Sequence, residues 1–416
     1  MDKEREPLQV QPRVGQQYRS PQIRIERMKR SPLRMLAAAL IVAFGYCLVA
    51  AMVVMNVGSK NVTGSDFVEY WAAEQQIVHG GNPYDPVTTL QVEQAEGRTT
   101  NQTEVTFSPP VAFILALPLG YVNLKTGYIL WTLALFTGFA ASVWILWLQH
   151  GCPNTLLHLL CFAFAPALIC ILASQLGIFF LLGVALFLYL HKTWPVLAGA
   201  ALLPCALKPH LFVPVAVTLL LWTISTKAYR ALAGFLIALV CSSALTLRLD
   251  THIWSQYAQM MKTMSVMSAV SPTLSAHLRL LIARNAAWVQ FVPEIAACGW
   301  AAWYFWTRRT RWDWMEQGLL VLLVSVLCSP YGYFTDESVL LPAVLAGLYR
   351  ARNSGRSLVP IAVMCGAALI EMGETVRLAK PYYLWTTPAW LAWYLYATTG
   401  KRAAVEATGG AASLAS

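Results

Sequence analysis

The sequence predicts an all-α integral membrane protein, and three observations lead to this fold class. The chain is 57% hydrophobic and only 12% charged, whereas soluble domains are about half apolar and about a quarter charged. Its mean hydropathy is +0.53, and segment after segment approaches the roughly 20 apolar residues that cross about 30 Å of hydrocarbon. The positive charges behind the net charge of +10 stand in short stretches beside these segments, which is typical of membrane topology and of contact with anionic lipid. This distribution argues against a nucleic-acid partner.

The basic residues determine the predicted topology. Segment 1–34 is rich in Lys and Arg, so we expect a basic cytoplasmic tail, followed by an uncleaved first span. Later basic clusters also flank apolar segments, and two crossings fit between consecutive clusters. The prediction is a bundle of about twelve transmembrane helices with both termini in the cytoplasm. The predicted spans are 35–57, 125–149, 155–173, 176–190, 194–207, 210–225, 231–248, 287–306, 317–329, 337–350, 358–372 and 383–398.

The predicted transmembrane domain covers 35–400, and residues 401–416 form a small, polar cytoplasmic tail. Two extracytoplasmic loops are large, 58–124 and 249–286. In the first, the apolar run 108–120 is too short to cross, so we place it at the interface. The second mixes apolar and polar residues, as expected for helices along the membrane surface. Loops of this length in a compact bundle are usually functional.

An acidic cluster follows the first span. Carboxylates are costly near hydrocarbon, so Asp66 marks a candidate functional site. We expect Ser65 to cap a helix that starts at Asp66, where the helix dipole favours the ionised carboxylate. Glu69 and Tyr70 follow three and four residues later, on the same helix face. This set suits a general base for a sugar hydroxyl, with an aromatic ring beside it; the alternative is a helix-capping Ser-Asp pair on a solvated loop.

Short motifs continue in order along the chain from this cluster. They are Asp66-Phe67-Val68-Glu69-Tyr70-Trp71-Ala72-Ala73, Gly80-Gly81-Asn82-Pro83-Tyr84-Asp85, Phe107-Ser108-Pro109-Pro110, Leu117-Pro118-Leu119, Ser174-Gln175, Trp194-Pro195-Val196-Leu197-Ala198-Gly199, Leu207-Lys208-Pro209-His210, Asp250 to Tyr257, and Ser329-Pro330-Tyr331. In this order and with this predicted sidedness they resemble glycosyltransferase family 87, over roughly residues 35–350.

The resemblance implies a GT-C type bundle whose extracytoplasmic cavity takes a sugar, mostly mannose, from a polyprenyl phosphate. It also implies that Asp66 is the catalytic carboxylate in the first external loop. Two features depart from the family pattern. Members that make phosphatidylinositol mannosides have His residues in the turn after Ser-Pro, where this chain reads Tyr-Gly-Tyr-Phe-Thr-Asp-Glu at 331–337. The usual aromatic before Pro-Pro is Tyr with no Ser between, and here it is Phe107-Ser108.

Further substrate-binding candidates lie at predicted external turns. Lys208 interrupts an apolar run, and its charge can hold a lipid phosphate; the alternative is a lysine that snorkels from a helix end. His210 belongs to the same motif. Gln175 can hydrogen-bond a sugar or tie two spans together.

Asp336 stands with Glu337 at a predicted helix start, where the helix dipole accounts for acidic residues. Tyr331 opens the same external turn and is a candidate for substrate contact. The alternative role for Asp336 and Glu337 is to bind a divalent ion together with Asp66 or Glu69, but the sequence shows no ligand spacing of an oxygen-rich cage. The nine cysteines show no metal-ligand spacing, and we expect no metal site and no cofactor.

These observations predict an inverting glycosyltransferase of the bacterial inner membrane, with its active site extracytoplasmic. A sugar, taken to be mannose, passes from a polyprenyl-phosphate donor to a lipid-linked or glycan acceptor. Membrane lipids surround the protein and are expected partners. The alternative is a transporter or flippase of sugars or lipid-linked glycans. Transporters commonly show paired halves and broken helices, and the sequence shows neither.

Overall fold

A computed structural model of the chain describes residues 32–58, 61–263, 273–378 and 383–399. The predicted cytoplasmic tails therefore lie almost entirely outside the described residues. Within those residues all regular structure is helical, as expected for the all-α class. The α-helices are α1 (Pro32–Gly58), α2 (Phe67–Val78), α3 (Pro86–Ala95), α4 (Phe113–Ala116), α5 (Leu124–Gln149), α6 (Ala165–Leu172), α7 (Gly177–Leu190), α8 (Pro195–Ala200), α9 (Val213–Thr226), α10 (Tyr229–Leu249), α11 (Ile253–Thr263), α12 (Leu274–Ile282), α13 (Val292–Arg308), α14 (Leu319–Leu327), α15 (Leu341–Asn353), α16 (Val359–Leu378) and α17 (Thr386–Thr398).

Three of the described helices are long and apolar enough to cross a membrane by length and composition. They are Met35–Val57 within α1, Leu124–Gln149 and Tyr229–Leu249. Several further predicted spans form shorter apolar helices. The chain is thus helical and membrane-type, and the complete bundle of about twelve crossings stays a prediction.

The shorter segments are broken by proline, which the sequence analysis did not anticipate. Predicted span 155–173 becomes a 3₁₀ helix, Leu157–Ala163, followed by α6, which has proline in its first turn. Predicted span 194–207 becomes α8 and a 3₁₀ helix, Leu203–Leu207, again with proline at its start. Proline lacks an N–H and fixes φ, so it begins a helix well but interrupts one from within. Interrupted helical segments, which the sequence did not make evident, are therefore present among the described residues.

Two glycines bring α8 and α10 into backbone contact. A Cβ on Gly199 would lie 1.8 Å from the Ala231 carbonyl oxygen, and a Cβ on Gly234 would lie 2.0 Å from the Val196 carbonyl oxygen. Small residues at a crossing let helix backbones approach closely, which is the usual packing of helices in membranes. The crossing fixes the broken segment α8 against a long helix.

The first large loop is folded onto the bundle. Arg98 holds it together by donating to the backbone oxygens of Thr63 at 3.1 Å and Gln102 at 3.0 Å, and to the Glu104 carboxylate at 2.9 Å. The run predicted to be interfacial forms a short broken helix, Pro110–Tyr121. Its 3₁₀ part packs on α2. These contacts hold α2 in a fixed position within the loop.

The second large loop contains α11 and α12, and both expose large apolar side chains. Trp254 in α11 is 39% exposed, and Leu281 and Ile282 in α12 are 85% and 67% exposed. Helices with such a face suit the interface between lipid headgroups and acyl chains. On its inner side, α12 is fastened by Ser275, which donates to the Cys328 carbonyl oxygen at 3.1 Å.

Contacts between turns respect the predicted alternation of sides. Lys208 pairs with Asp336 at 2.7 Å, and both lie in turns predicted to be external. Lys192 pairs with Asp313 at 3.2 Å, and both lie in turns predicted to be cytoplasmic. The contact of Arg352 with Thr155, at 2.6 Å, also joins two predicted cytoplasmic turns. Each of these three contacts joins turns of one predicted side, as an alternating topology requires.

Candidate active site

Asp66 stands immediately before α2, as the residue that precedes its first turn. The expected cap by Ser65 was wrong, because the Ser65 hydroxyl donates to the Val62 carbonyl oxygen at 2.7 Å. That bond closes the short 3₁₀ helix Asn61–Gly64 onto α2. The Asp66 side chain makes no capping bond, so its carboxylate points to a partner outside its own helix.

That partner is Gln175, on the loop between α6 and α7. The Gln175 side-chain amide donates a short hydrogen bond to Asp66 Oδ2. Its carbonyl oxygen accepts from the Tyr70 hydroxyl at 3.1 Å. Asp66 and Tyr70 thus share a face of the first turn of α2 and hold one amide between them. The structure places Gln175 on the carboxylate itself, rather than as a mere tie between spans.

The backbone at Gln175 is fixed by its neighbours. Ser174 is in the left-handed region at φ +61, and its carbonyl oxygen accepts from Trp131 Nε1 at 2.9 Å. The Gln175 N–H donates to the Cys170 carbonyl oxygen at 2.9 Å, which closes the end of α6. A Cβ on Gly177 would lie 2.6 Å from the Thr335 carbonyl oxygen, so only glycine lets this loop approach the turn that carries Asp336.

Glu69 lies one helical turn from Asp66 and is held differently. It hydrogen-bonds Thr106, which is buried. Burial, and then the charge of Asp66, raise the pKa of Glu69 to about 8. Burial also raises the pKa of Asp66, while the hydrogen bond from Gln175 opposes that rise. A pKa of about 8 leaves Glu69 protonated at neutral pH.

Lys208 lies between α8 and α9 and forms an ion pair with Asp336. The pair measures 2.7 Å, and the Asp336 side chain is only 2% exposed. Asp336 also accepts from the Tyr333 N–H at 2.9 Å. Burial disfavours the charge on Lys208, but the adjacent Asp336 carboxylate outweighs it and raises the pKa of Lys208. The lysine is therefore a permanent cation, and it is near enough to Asp66 to lower the pKa of that carboxyl.

His210 and Tyr331 form an aromatic pair beside Lys208. Their ring centroids are 3.8 Å apart, so both predicted side chains come together at one edge of the polar cluster. Tyr333, which the sequence analysis did not single out, lies on the other side of the lysine, with Lys208 Nζ 5.9 Å from its ring centroid. An aromatic two residues after a Ser-Pro-Tyr turn gave no distinct signal in the sequence.

Glu337 has a structural role and does not enter the cluster. Its carboxylate accepts from Thr386 at 2.6 Å, from Thr387 at 2.8 Å and from Trp390 Nε1 at 2.8 Å. These bonds fasten the 3₁₀ helix Phe334–Leu340 to α17 and thereby hold its neighbour Asp336 in place. These hydrogen bonds, rather than the helix dipole, are the main reason for an acidic residue at Glu337.

A pocket opens on the Asp336 side of the cluster. Asp336 and Tyr333 line it together with apolar residues of several elements, and it does not reach Asp66. Among the described residues, no group of three or more His, Cys, Asp or Glu side chains is arranged to hold a metal ion. The apolar residues that line the pocket are Leu211, Leu274, Val326, Leu327, Leu384 and Pro388.

The arrangement combines an oriented carboxylate, a half-buried cation and aromatic faces. The profile of glycosyltransferase family 87 matches residues 107–330, which is more than half of the chain and includes Gln175, Lys208 and His210. Asp66 and Asp336 lie outside the matched range. No curated protein and no solved structure matches the chain significantly. By its family match, the chain belongs to glycosyltransferase family 87 and is a glycosyltransferase.

Proposed function

We propose that this family member is an inverting transferase that moves a sugar, in the first instance mannose, from a polyprenyl phosphate to a hydroxyl of a lipid-linked or glycan acceptor. One observation carries the proposal. The Asp66 carboxylate is aligned by Gln175 in the same polar cluster as the half-buried cation Lys208. A base for the acceptor and a cation for a departing phosphate are the two groups that this transfer requires.

The proposed step balances without a further reagent. The acceptor hydroxyl oxygen attacks the anomeric carbon of the donor while Asp66 takes the hydroxyl proton. The bond between the anomeric carbon and the phosphate oxygen breaks, and polyprenyl phosphate leaves with the electron pair. Lys208 stabilises the charge that develops on that phosphate. Attack opposite the leaving group inverts the anomeric configuration.

The other members of the cluster have supporting roles in this proposal. Glu69 holds a proton at neutral pH, so that Asp66 is the ionised base. The rings of His210 and Tyr331 offer a flat surface to a sugar ring. Asp336 holds Lys208 in position when no donor is bound. No divalent cofactor is required, because the lysine supplies the positive charge at the phosphate.

The location follows from the charges along the chain. The basic tail and the basic turns are retained in the cytoplasm, so the cluster around Asp66 faces the opposite side of a bacterial inner membrane. Nucleotide sugars do not reach that side, whereas a sugar on a polyprenyl phosphate can be presented there. This placement is the reason for choosing a lipid-linked donor.

A transporter of sugars or lipid-linked glycans is the second candidate function. The broken segments around α6 and α8 are the observation that favours it, because transporters often bind substrate at discontinuous helices. The oriented carboxylate near a half-buried lysine favours transfer, since movement of a substrate does not require a base.

The experiment that tests the proposal compares donors with the purified protein in liposomes. Polyprenyl-phosphate [¹⁴C]mannose, GDP-[¹⁴C]mannose and free [¹⁴C]mannose are each supplied together with an extract of acceptor lipids. We expect a labelled product only from the polyprenyl-linked donor, with release of polyprenyl phosphate. Product from the nucleotide donor alone would contradict the donor class, and movement of label across the membrane without a new product would establish the transporter.

A further inference from the structure

The hydrogen bonds around Gln175 have a direction that the side chains themselves impose. The Tyr70 hydroxyl, 3.1 Å from Gln175 Oε1, has the amide oxygen as its acceptor. The amide nitrogen donates a short hydrogen bond to Asp66 Oδ2. An ionised carboxylate only accepts hydrogen bonds, so it fixes this orientation: with the amide reversed, the amide oxygen would face the carboxylate and Asp66 would receive no donor. The Tyr70 hydroxyl then donates to the amide oxygen and anchors the opposite side of the amide.

We propose that Tyr70 and Gln175 form a positioning relay for Asp66, in which the tyrosine anchors the amide and the amide holds the carboxylate ionised and aimed. The relay deepens the proposed function, on which it rests, because it says how the base is prepared. Neither residue needs to touch the substrate for this role.

The surroundings make the relay rigid at both ends. Tyr70 packs against Trp131, with ring centroids 5.5 Å apart, and Trp131 also donates to the Ser174 carbonyl oxygen at 2.9 Å. One tryptophan thus holds the tyrosine and the backbone that precedes the glutamine. A side chain that merely filled space between two helices would not require both contacts.

The charged groups around Asp66 do not by themselves secure its ionised form. Glu69 holds a proton at neutral pH, Glu104 is the acidic neighbour that opposes the ionised form of Asp66, and Lys208 is the cation that favours it. Tyr70 and Tyr333 are the titratable hydroxyls near it. Because Lys208 is already paired with Asp336, the Gln175 amide is the donor that keeps the carboxylate charged.

The test is a pH titration of the Asp66 carboxyl group by infrared difference spectroscopy on the full-length protein in liposomes. The carboxylic-acid carbonyl band of Asp66 is assigned by its loss in Asp66→Asn. Gln175→Met keeps the length and volume of the side chain but removes the donor, so we expect the Asp66 midpoint to rise by about one pH unit. Tyr70→Phe should move it in the same direction by less, because the amide donor remains but its oxygen loses the hydrogen bond that anchors it.

The matched control is Gln76→Met. Gln76 is a buried glutamine in α2 and donates to the Thr89 hydroxyl at 2.8 Å. Its substitution therefore perturbs packing without touching the relay. The titration midpoint of Asp66 in Gln76→Met should equal that of the wild type. An unchanged midpoint in folded Gln175→Met would overturn the relay. If Gln175→Met does not fold, Tyr70→Phe decides, and an unchanged midpoint there would overturn it equally.

A second readout separates the relay from the proposed transfer. The acid limb of the pH–activity profile should shift upward in Gln175→Met by the same amount as the spectroscopic midpoint. A shifted midpoint in a protein that transfers no sugar would retain the relay and refute the transferase. Transfer with a normal profile and an unmoved midpoint would retain the transferase and refute the relay.

Discussion

Asp66 shares its site with a second carboxyl, Glu69, one helical turn away. Burial and the Asp66 charge raise the pKa of Glu69 from an ordinary value of 4.5 to about 8. A carboxyl whose pKa is higher in the folded state stabilises the fold fully below its unfolded pKa. That stability is lost as the pH rises from about 4.5 to about 8.

Glu69→Gln should therefore reduce the pH dependence of stability. We expect the wild type to lose more than about 1 kcal/mol of stability between pH 5 and pH 8, and the variant to lose distinctly less. The measurement is the apparent melting temperature of detergent-solubilised protein at the two pH values. Glu96→Gln is the matched control, because Glu96 is an exposed carboxylate of the same loop. Equal slopes for wild type and Glu69→Gln would contradict a protonated Glu69.

Lys208 is expected to carry the charge at the departing phosphate. Lys208→Met keeps the apolar stem and removes the charge, so transfer should fall by about a hundredfold or more. Lys208→Arg should lose less, since the charge remains. The measurement is initial rate with the polyprenyl-linked donor, with and without chelator, and the chelator should have no effect. Lys125→Met serves as the control, because Lys125 is exposed at the start of α5; equal rates for wild type and Lys208→Met would refute this role.

At the scale of residues, the sequence predicted the chemical types at the site better than their partners. Asp66 and Lys208 stand out because charges are costly in an apolar chain. The bond between Asp66 and Gln175 joins positions 109 residues apart, and no local pattern encodes such a distance. The predicted Ser65 cap is absent because the Ser65 hydroxyl donates instead to a carbonyl oxygen of the preceding 3₁₀ turn.

At the scale of elements, the crossing of α8 and α10 depends on the absence of side chains. Gly234→Ala would place a Cβ 2.0 Å from the Val196 carbonyl oxygen, so we expect a loss of about 1–3 kcal/mol or more from overpacking. Gly299→Ala is the matched control: it lies inside α13 with nothing within 4 Å of its Cβ, and it should stabilise by about 0.5–1 kcal/mol. Melting temperatures in detergent measure both. Equal effects of the two substitutions would contradict the close crossing.

The existence and approximate position of the helices followed from hydropathy, whereas their interruptions did not. Segment 155–173 reads as one apolar run, yet it folds as a 3₁₀ helix and then α6. Proline permits either a kink or a new start, and packing against neighbouring helices decides which. Hydropathy reports the amount of apolar surface and carries no information about that choice.

At the scale of the whole molecule, the proposed access of the site to lipid-linked sugars depends on the predicted alternation of sides. The contacts join turns of one predicted side only, but they do not say which set faces the cytoplasm. The distribution of Lys and Arg makes that assignment. We expect reporter fusions in the basic turns to report the cytoplasm and fusions in the two large loops and the last external turn to report the opposite side. The cytoplasmic positions are Lys192, Arg230, Arg311 and Arg356, and the opposite ones are Thr99, Ser275 and Gly373.

A cytoplasmic signal at Thr99 would contradict the arrangement. The cluster around Asp66 would then face nucleotide sugars, and the lipid-linked donor would lose its rationale. Agreement at all positions would also support the crossings in segments whose helices are short or broken.

The central claim is that Asp66 is the base in transfer from a polyprenyl-phosphate sugar, and Asp66→Asn tests it most directly. The asparagine keeps the shape and an acceptor oxygen but cannot take the acceptor proton. Initial rates are measured with polyprenyl-phosphate [¹⁴C]mannose and equal amounts of folded protein, alongside Glu69→Gln. We predict a fall of at least about a hundredfold for Asp66→Asn and a smaller loss for Glu69→Gln. Near-normal transfer by Asp66→Asn, with loss of transfer in Glu69→Gln, would contradict the account.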